Sequence, residues 1–132
     1  MKSVLVIEDD VSQRELFKMV LEEAGYRVLD APNGEVGLRL FRQQPCELVI
    51  TDIFMPEKEG IETILELKRE FPTVKIIAIS GGGRGTHHGR SPVVDFALEA
   101  AKEFGSDCIL LKPIKIEHLL AVVDELFSAN SQ

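Results

Sequence analysis

Side chains that could carry chemistry stand where four short apolar runs of this 132-residue sequence end. The acidic triplet Glu8–Asp10 follows the first run, Asp52 follows the third, and Ser80 and Lys112 follow the fourth and the fifth. Carboxylates held close together repel one another, so such a group needs a cation or raised pKa values. Oxygen ligands of this kind suit Mg²⁺. A carboxylate beside Mg²⁺, a hydroxyl and a lysine offers the nucleophile, the metal and the charge clamps that phosphoryl transfer requires.

Five apolar runs, which must position these side chains, alternate with five stretches of helical period. The predicted strands are Val4–Ile7, Arg27–Ala31, Leu48–Thr51, Val74–Ile79 and Cys108–Leu111. The predicted helices carry apolar stripes on Phe17 and Leu21, on Val36, Leu40 and Phe41, on Ile61, Ile64 and Leu65, on Phe96 and Ala101, and on Leu119 and Val123. The strand runs are nearly continuous, which is typical of strands buried on both faces.

The strict alternation of strands and helices predicts an α/β fold with a doubly wound parallel sheet. Its crossovers are expected to be right-handed, with helices on both faces. Ligands of such open sheets bind at the carboxyl ends of the strands. Parallel strands place all their carboxyl ends at one edge, so we expect the acids, the hydroxyl and the lysine to converge there.

Composition limits the possible classes of function. Hydrophobic residues make up 45 % and charged residues 28 %, which excludes a disordered chain and, at this length, predicts one domain. The net charge of −7 would repel nucleic acid and anionic membrane, so neither is expected as a direct partner. No signal sequence and no run near 18 apolar residues is present, so we predict a cytoplasmic protein. Cys46 and Cys108 lack disulfide-framework and metal-type spacing.

The motifs at the strand ends resemble those of response-regulator receiver domains. They are Val6–Asp10, Thr51–Pro56 with Gly60, Ile79–Gly81 and Leu111–Pro113, and the resemblance runs from Lys2 to Phe127. It implies a flavodoxin-like sheet of five parallel strands in the order 2-1-3-4-5, with five helices. We therefore expect a receiver domain over residues 1–127 and a polar tail over residues 128–132.

The resemblance also implies a metal site. Asp9 matches the direct Mg²⁺ ligand, and Glu8, at a position that is usually aspartate, would reach the metal through water. Asp52 would contribute its carboxylate, and Phe54 would offer its backbone carbonyl.

The same resemblance implies how a phosphoryl group is held. Asp52 matches the phosphoacceptor, Ser80 the hydroxyl that hydrogen-bonds the phosphoryl group, and Lys112 the lysine that pairs with its oxygens. The family's Lys-Pro turn predicts a cis peptide bond between Lys112 and Pro113.

The sequence departs from the family pattern at two places. Ile109 occupies the position of the usual aromatic switch residue, so Ser80 and Ile109 are the switch candidates and a swinging ring is not expected. The Gly81–Pro92 segment is longer than usual by roughly ten residues and exceeds the ~2–6 residues usual for such connections. We expect this loop to be mobile before phosphorylation and ordered after it.

The leading hypothesis is a phosphoacceptor of a two-component or phosphorelay system. Its partners would be a sensor histidine kinase or a histidine phosphotransfer protein, and a downstream effector protein. It would catalyse only its own phosphorylation and dephosphorylation. An aspartyl-nucleophile phosphatase is the alternative, although Glu8 stands where such enzymes place the nucleophile. A flavin protein on the same fold is a third, disfavoured by one tyrosine and no tryptophan.

Overall fold

The computed structural model describes residues 2–53, 60–80, 99, 101–103 and 105–130. The strands are β1 Ser3–Ile7, β2 Arg27–Ala31, β3 Leu48–Asp52, β4 Lys75–Ser80 and β5 Cys108–Leu111. The helices are α1 Val11–Glu23, α2 Gly34–Gln43, α3 Gly60–Glu70 and the C-terminal helix Ile116–Asn130. Residues 99 and 101–103 are also helical, within the predicted fourth helix. The predictions for Phe54 and for the Gly81–Pro92 loop lie outside the described residues.

The five strands form one parallel sheet in the order β2-β1-β3-β4-β5. This order is the flavodoxin-like arrangement with the switch point between β1 and β3. The predicted fold class is therefore confirmed. Because β3 lies at the centre of the sheet and all five of its residues are buried, its last residue, Asp52, is surrounded by the ends of the neighbouring strands.

Two apolar layers cover the two faces of the sheet. On one face, Phe17 and Leu21 of α1 pack with Leu119, Val123 and Phe127 of the C-terminal helix. The other layer contains buried side chains of α2 and α3, together with alternate residues of the strands. Both faces of the sheet are thus buried, as the continuous apolar strands predict.

Side-chain caps fix where the first two helices begin. Asp10 caps α1, since its Oδ1 accepts the Gln13 N–H at 3.1 Å, and Asn33 caps α2 by accepting the Val36 N–H at 2.9 Å. The third acid of the triplet is therefore used by the helix. At the other end of α1, Gly25 has a φ of 101°, which is the left-handed conformation that ends a helix.

The C-terminal helix extends beyond residue 127, the predicted end of the domain. It continues to Asn130, three residues into the predicted tail, because residues 128–130 contain neither glycine nor proline to stop it.

Cys46 is buried, Cys108 is half-buried, and both are free thiols. Within the described part of the chain, no helix has the length and hydropathy to cross a membrane.

Candidate functional site

The parallel sheet brings the predicted residues to one edge. Asp52 pairs in register with Ile79, and Ser80 pairs with Leu111, so the ends of β3, β4 and β5 are level with one another. Glu8 follows the last residue of β1, and its N–H donates to the carbonyl oxygen of Ala31 at 3.0 Å.

Asp52 and Lys112 form the central contact of the site. The Lys112 Nζ donates to Asp52 Oδ2 at 2.9 Å. The side chain of Asp52 is only 5 % exposed, and that of Lys112 is 27 % exposed. Burial lowers the pKa of Lys112, but the carboxylates of Asp52 and Glu8 outweigh burial and hold the pKa above its ordinary value. The ammonium is therefore fixed in its charged form beside the carboxylate.

Glu8 is the second carboxylate that Lys112 contacts. Its Oε1 lies 3.2 Å from Lys112 Nζ, and its Oε2 accepts the Asp10 N–H at 3.1 Å. Burial raises the pKa of Glu8 to about 7, and the charge of Asp52 adds to this; the hydrogen bond from Asp10 and the charge of Lys112 oppose it. A carboxylate that costs this much to ionise is suited to receive a further cation.

Glu8, Asp9 and Asp52 could hold a metal ion together. One carboxylate oxygen from each of these residues lies within 4.8 Å of the others. Glu8 and Asp52 are buried, while Asp9 is exposed and leaves the pocket open to solvent. Glu8 Oε1 is buried but accepts no hydrogen bond of good geometry from the described residues, despite its ion pair with Lys112. A water bound to a hard cation would donate to this oxygen, so the residues fit Mg²⁺, which keeps several of its waters when it binds protein.

The two switch candidates lie in neighbouring strands, Ser80 at the end of β4 and Ile109 within β5. Ser80 is buried, and its carbonyl oxygen accepts the Lys112 N–H at 2.8 Å, which ties the ends of β4 and β5 together. Ile109 is half-buried and packs against the apolar layer on the α2 and α3 face. The Lys112–Pro113 peptide bond is cis, as predicted.

Gly60 lies against the main chain of the predicted phosphoacceptor. Its N–H donates to the carbonyl oxygen of Ile53 at 2.8 Å. A Cβ at this position would collide with the carbonyl oxygen of Asp52 and would lie 2.7 Å from the Cα of Ile53. Only glycine lets α3 begin this close to the end of β3.

Arg14 is a residue of the site that sequence reasoning missed. It lies on α1, and its guanidinium contacts both the carbonyl oxygen of Glu8 and the carboxylate of Asp30. The only sequence signal was a basic residue one helical turn after the acidic triplet, and such residues are common on exposed helix faces.

Known proteins resemble this chain over most of its length. The family model of the response regulator receiver domain matches residues 4–124. The probable chemotaxis protein CheY of Rhizobium etli is 30 % identical over 96 % of this chain and 92 % of its own length. The transcriptional regulatory protein ZraR of Klebsiella oxytoca is 33 % identical over 92 % of this chain, which spans only 25 % of that protein.

A solved structure shows the same likeness. The response regulator protein TrrA of Thermotoga maritima, in complex with Mg²⁺-BeF, is 31 % identical, with a TM-score of 0.76. The match covers 96 % of this chain and 99 % of that one. By the family model and by these relatives, the chain belongs to the response regulator receiver domains, the phosphoacceptor signalling domains of two-component systems.

Proposed function

We propose that Asp52 accepts a phosphoryl group from a phosphohistidine, with Mg²⁺ bound by the neighbouring carboxylates. The observation that carries the proposal is the buried carboxylate of Asp52, 2.9 Å from the Lys112 ammonium and grouped with the oxygens of Glu8 and Asp9. Nucleophile, cation clamp and metal ligands are the parts that phosphoryl transfer needs. The family assignment leaves the phosphatase and flavin alternatives without support.

Each side chain has a role in this transfer. A carboxylate oxygen of Asp52 forms a bond to phosphorus while the bond from phosphorus to the histidine nitrogen breaks, and the imidazole leaves. Lys112 already lies beside Asp52 and neutralises charge on the phosphoryl oxygens. Ser80 is proposed to donate its hydroxyl to one of these oxygens.

The metal would be held by Asp9 directly, by Glu8 through water, by Asp52, and by the backbone carbonyl of Phe54, which lies outside the described residues. When bound, Mg²⁺ supplies positive charge that offsets the charge of the transferring group. Glu8 and Asp9 would otherwise repel the incoming phosphoryl group, so their charges must be compensated before transfer.

The partners that we propose follow from the same chemistry. A sensor histidine kinase or a histidine phosphotransfer protein would supply the phosphohistidine, and a downstream effector would bind the phosphorylated form. Receiver domains interact with histidine kinases and effectors in general. For this chain, Ser80 and Ile109 remain the candidates for coupling the phosphoryl group to the docking surface.

Intact mass measurement with a small-molecule phosphodonor tests the assignment of Asp52. The parent should gain ~80 Da, the mass of one phosphoryl group, in the presence of Mg²⁺ and much less without it. Asp52→Asn should gain nothing. Asp10→Asn is the matched control, since asparagine also caps a helix and the nucleophile is untouched. An adduct retained on Asp52→Asn would refute the assignment.

A further inference from the structure

The guanidinium of Arg14 connects α1 to the chain that follows β1. We propose that Arg14 is a positioning residue, which orients the Glu8–Asp9 peptide so that Asp9 can bind the divalent cation. This inference rests on the proposed function of the site. It assigns a role to a residue that touches neither the metal nor the phosphoryl group.

Two hydrogen bonds define the position of Arg14. Nη1 donates to the carbonyl oxygen of Glu8 at 2.8 Å, and Nε donates to Asp30 Oδ2 at 3.2 Å. The side chain of Arg14 is only 16 % exposed. A guanidinium presents its donors in a rigid plane, so fixing Nε on Asp30 also fixes where Nη1 points.

The main chain of Glu8 is held from both sides. Its N–H donates to Ala31 of β2 at 3.0 Å, and its carbonyl oxygen accepts from Arg14 of α1. That carbonyl belongs to the peptide that leads into Asp9. Asp9 is exposed, so packing in the core cannot set the direction of its side chain. The orientation of the Glu8–Asp9 peptide therefore decides where the Asp9 side chain begins, and Arg14 holds that peptide through the carbonyl oxygen of Glu8.

The charge of Arg14 and its proposed positioning role have opposite effects on the affinity for Mg²⁺, so a substitution of Arg14 can distinguish them. A positive charge near a cation site weakens cation binding, so removing it would strengthen Mg²⁺ binding if charge alone mattered. A positioning role predicts the opposite sign. Groups that orient metal ligands typically contribute about 10–100-fold in affinity.

Lys18 provides a matched control on the same helix. Its Nζ lies 3.5 Å from Asp30 Oδ1, so it shares the acidic partner of Arg14, and no contact with Glu8 is recorded for it among the described residues. The change Lys18→Gln removes the same charge from the same helix without disturbing the carbonyl oxygen of Glu8.

Calorimetric titration of the full chain with Mg²⁺ alone tests the proposal. We expect Arg14→Gln to weaken Mg²⁺ binding about ten-fold. Arg14→Lys should weaken it several-fold, because lysine keeps the charge but not the planar fork. Lys18→Gln should stay within about two-fold of the parent. Arg14→Gln binding Mg²⁺ as tightly as the parent, or more tightly, would overturn the proposal.

A second variant keeps the test decisive if changes at Arg14 prevent folding. Asp30→Ala removes the anchor for Nε and leaves Arg14 in place, whereas Asp30→Asn removes the same negative charge but keeps an oxygen that can accept from Nε. Asp30→Ala should therefore weaken Mg²⁺ binding more than Asp30→Asn does, and equal weakening in the two variants would mean that charge alone acts. Unchanged affinity in Asp30→Ala, with the protein folded by circular dichroism, would contradict the positioning role. Failure of the parent itself to bind Mg²⁺ would instead count against the proposed function.

Discussion

The folded structure disfavours the ionisation of Glu8. Its pKa is raised from 4.5 to about 7, mainly by burial. The folded protein therefore holds a proton on Glu8 more tightly than the unfolded chain does. By linkage, the stability that this proton provides is complete below pH 4.5 and is lost as pH rises through 7.

Replacing Glu8 with glutamine should remove this pH dependence. We expect Glu8→Gln to raise the free energy of unfolding of the metal-free protein by about 1–3 kcal/mol at pH 8, with the gain vanishing near pH 4.5. Urea unfolding at several pH values measures it, and a gain independent of pH would contradict the burial argument. Saturating Mg²⁺ should stabilise the parent more than the variant.

Asp9 and Glu8 should contribute unequally to metal binding. A direct ligand loses a metal–oxygen bond on substitution, whereas a ligand that acts through water typically loses 10–100-fold in affinity. We therefore expect Asp9→Asn to weaken Mg²⁺ binding more than Glu8→Gln does in the same titration. The reverse order would exchange the roles of the two acids.

The sequence correctly predicted the positions of those site residues that lie at the ends of strands. Glu8, Asp52, Ser80 and Lys112 end or follow strands, and parallel pairing leaves them one edge to share. The role of Arg14 could not be predicted, because its contacts depend on which face of α1 is directed towards β2. A basic residue in a helical stretch does not indicate that face. Asp10 was included as an acid, but the structure uses it as a helix cap.

The junction between β3 and α3 makes the site sensitive to a single methyl group. We expect Gly60→Ala to lower the free energy of unfolding by about 2–3 kcal/mol, because the added carbon meets the backbone of Asp52 and Ile53, which cannot move aside. Phosphorylation of the folded variant should also slow, since the main chain that carries Asp52 must shift.

Gly25→Ala is the control for this change. Gly25 has a φ of 101° but nothing within 4 Å of an added Cβ, so alanine there meets strain without collision. We expect a cost of about 1–2 kcal/mol and unchanged phosphorylation. Equal loss of phosphorylation in both variants would show that Gly60 acts through stability alone.

Helix periodicity predicted the elements better than it predicted their buried faces. In α2, Phe41 is buried as expected, but Leu38 is fully buried while Leu40 is only partly so. The face of α2 that contains Gly37 packs against the sheet, so close to Ile7 that a Cβ added at Gly37 would lie 2.5 Å from the Ile7 side chain. Glycine has no side chain, so a prediction based on large apolar residues does not include it in the buried face.

On the scale of the whole molecule, the sheet separates its two apolar layers and keeps the polar site at one edge. The layer under α1 and the C-terminal helix contacts β1, β3, β4 and β5, so the strand ends that carry the site are held from that side. The alternation of strands and helices predicted the parallel sheet with helices on both faces, whereas the strand order 2-1-3-4-5 was implied by the resemblance to receiver domains. The loop prediction for Gly81–Pro92 stays a prediction, to be tested by amide hydrogen exchange with and without beryllofluoride.

Direct localisation of the phosphoryl group tests the central claim most directly. The parent protein, phosphorylated in Mg²⁺ by a small-molecule donor, is treated with borohydride, which reduces an aspartyl phosphate to homoserine, and is then mapped by tandem mass spectrometry. We predict homoserine at position 52 and unmodified aspartate at positions 9 and 10. Homoserine at position 9, or a stable phosphate on a histidine or serine with residue 52 unchanged, would contradict the account.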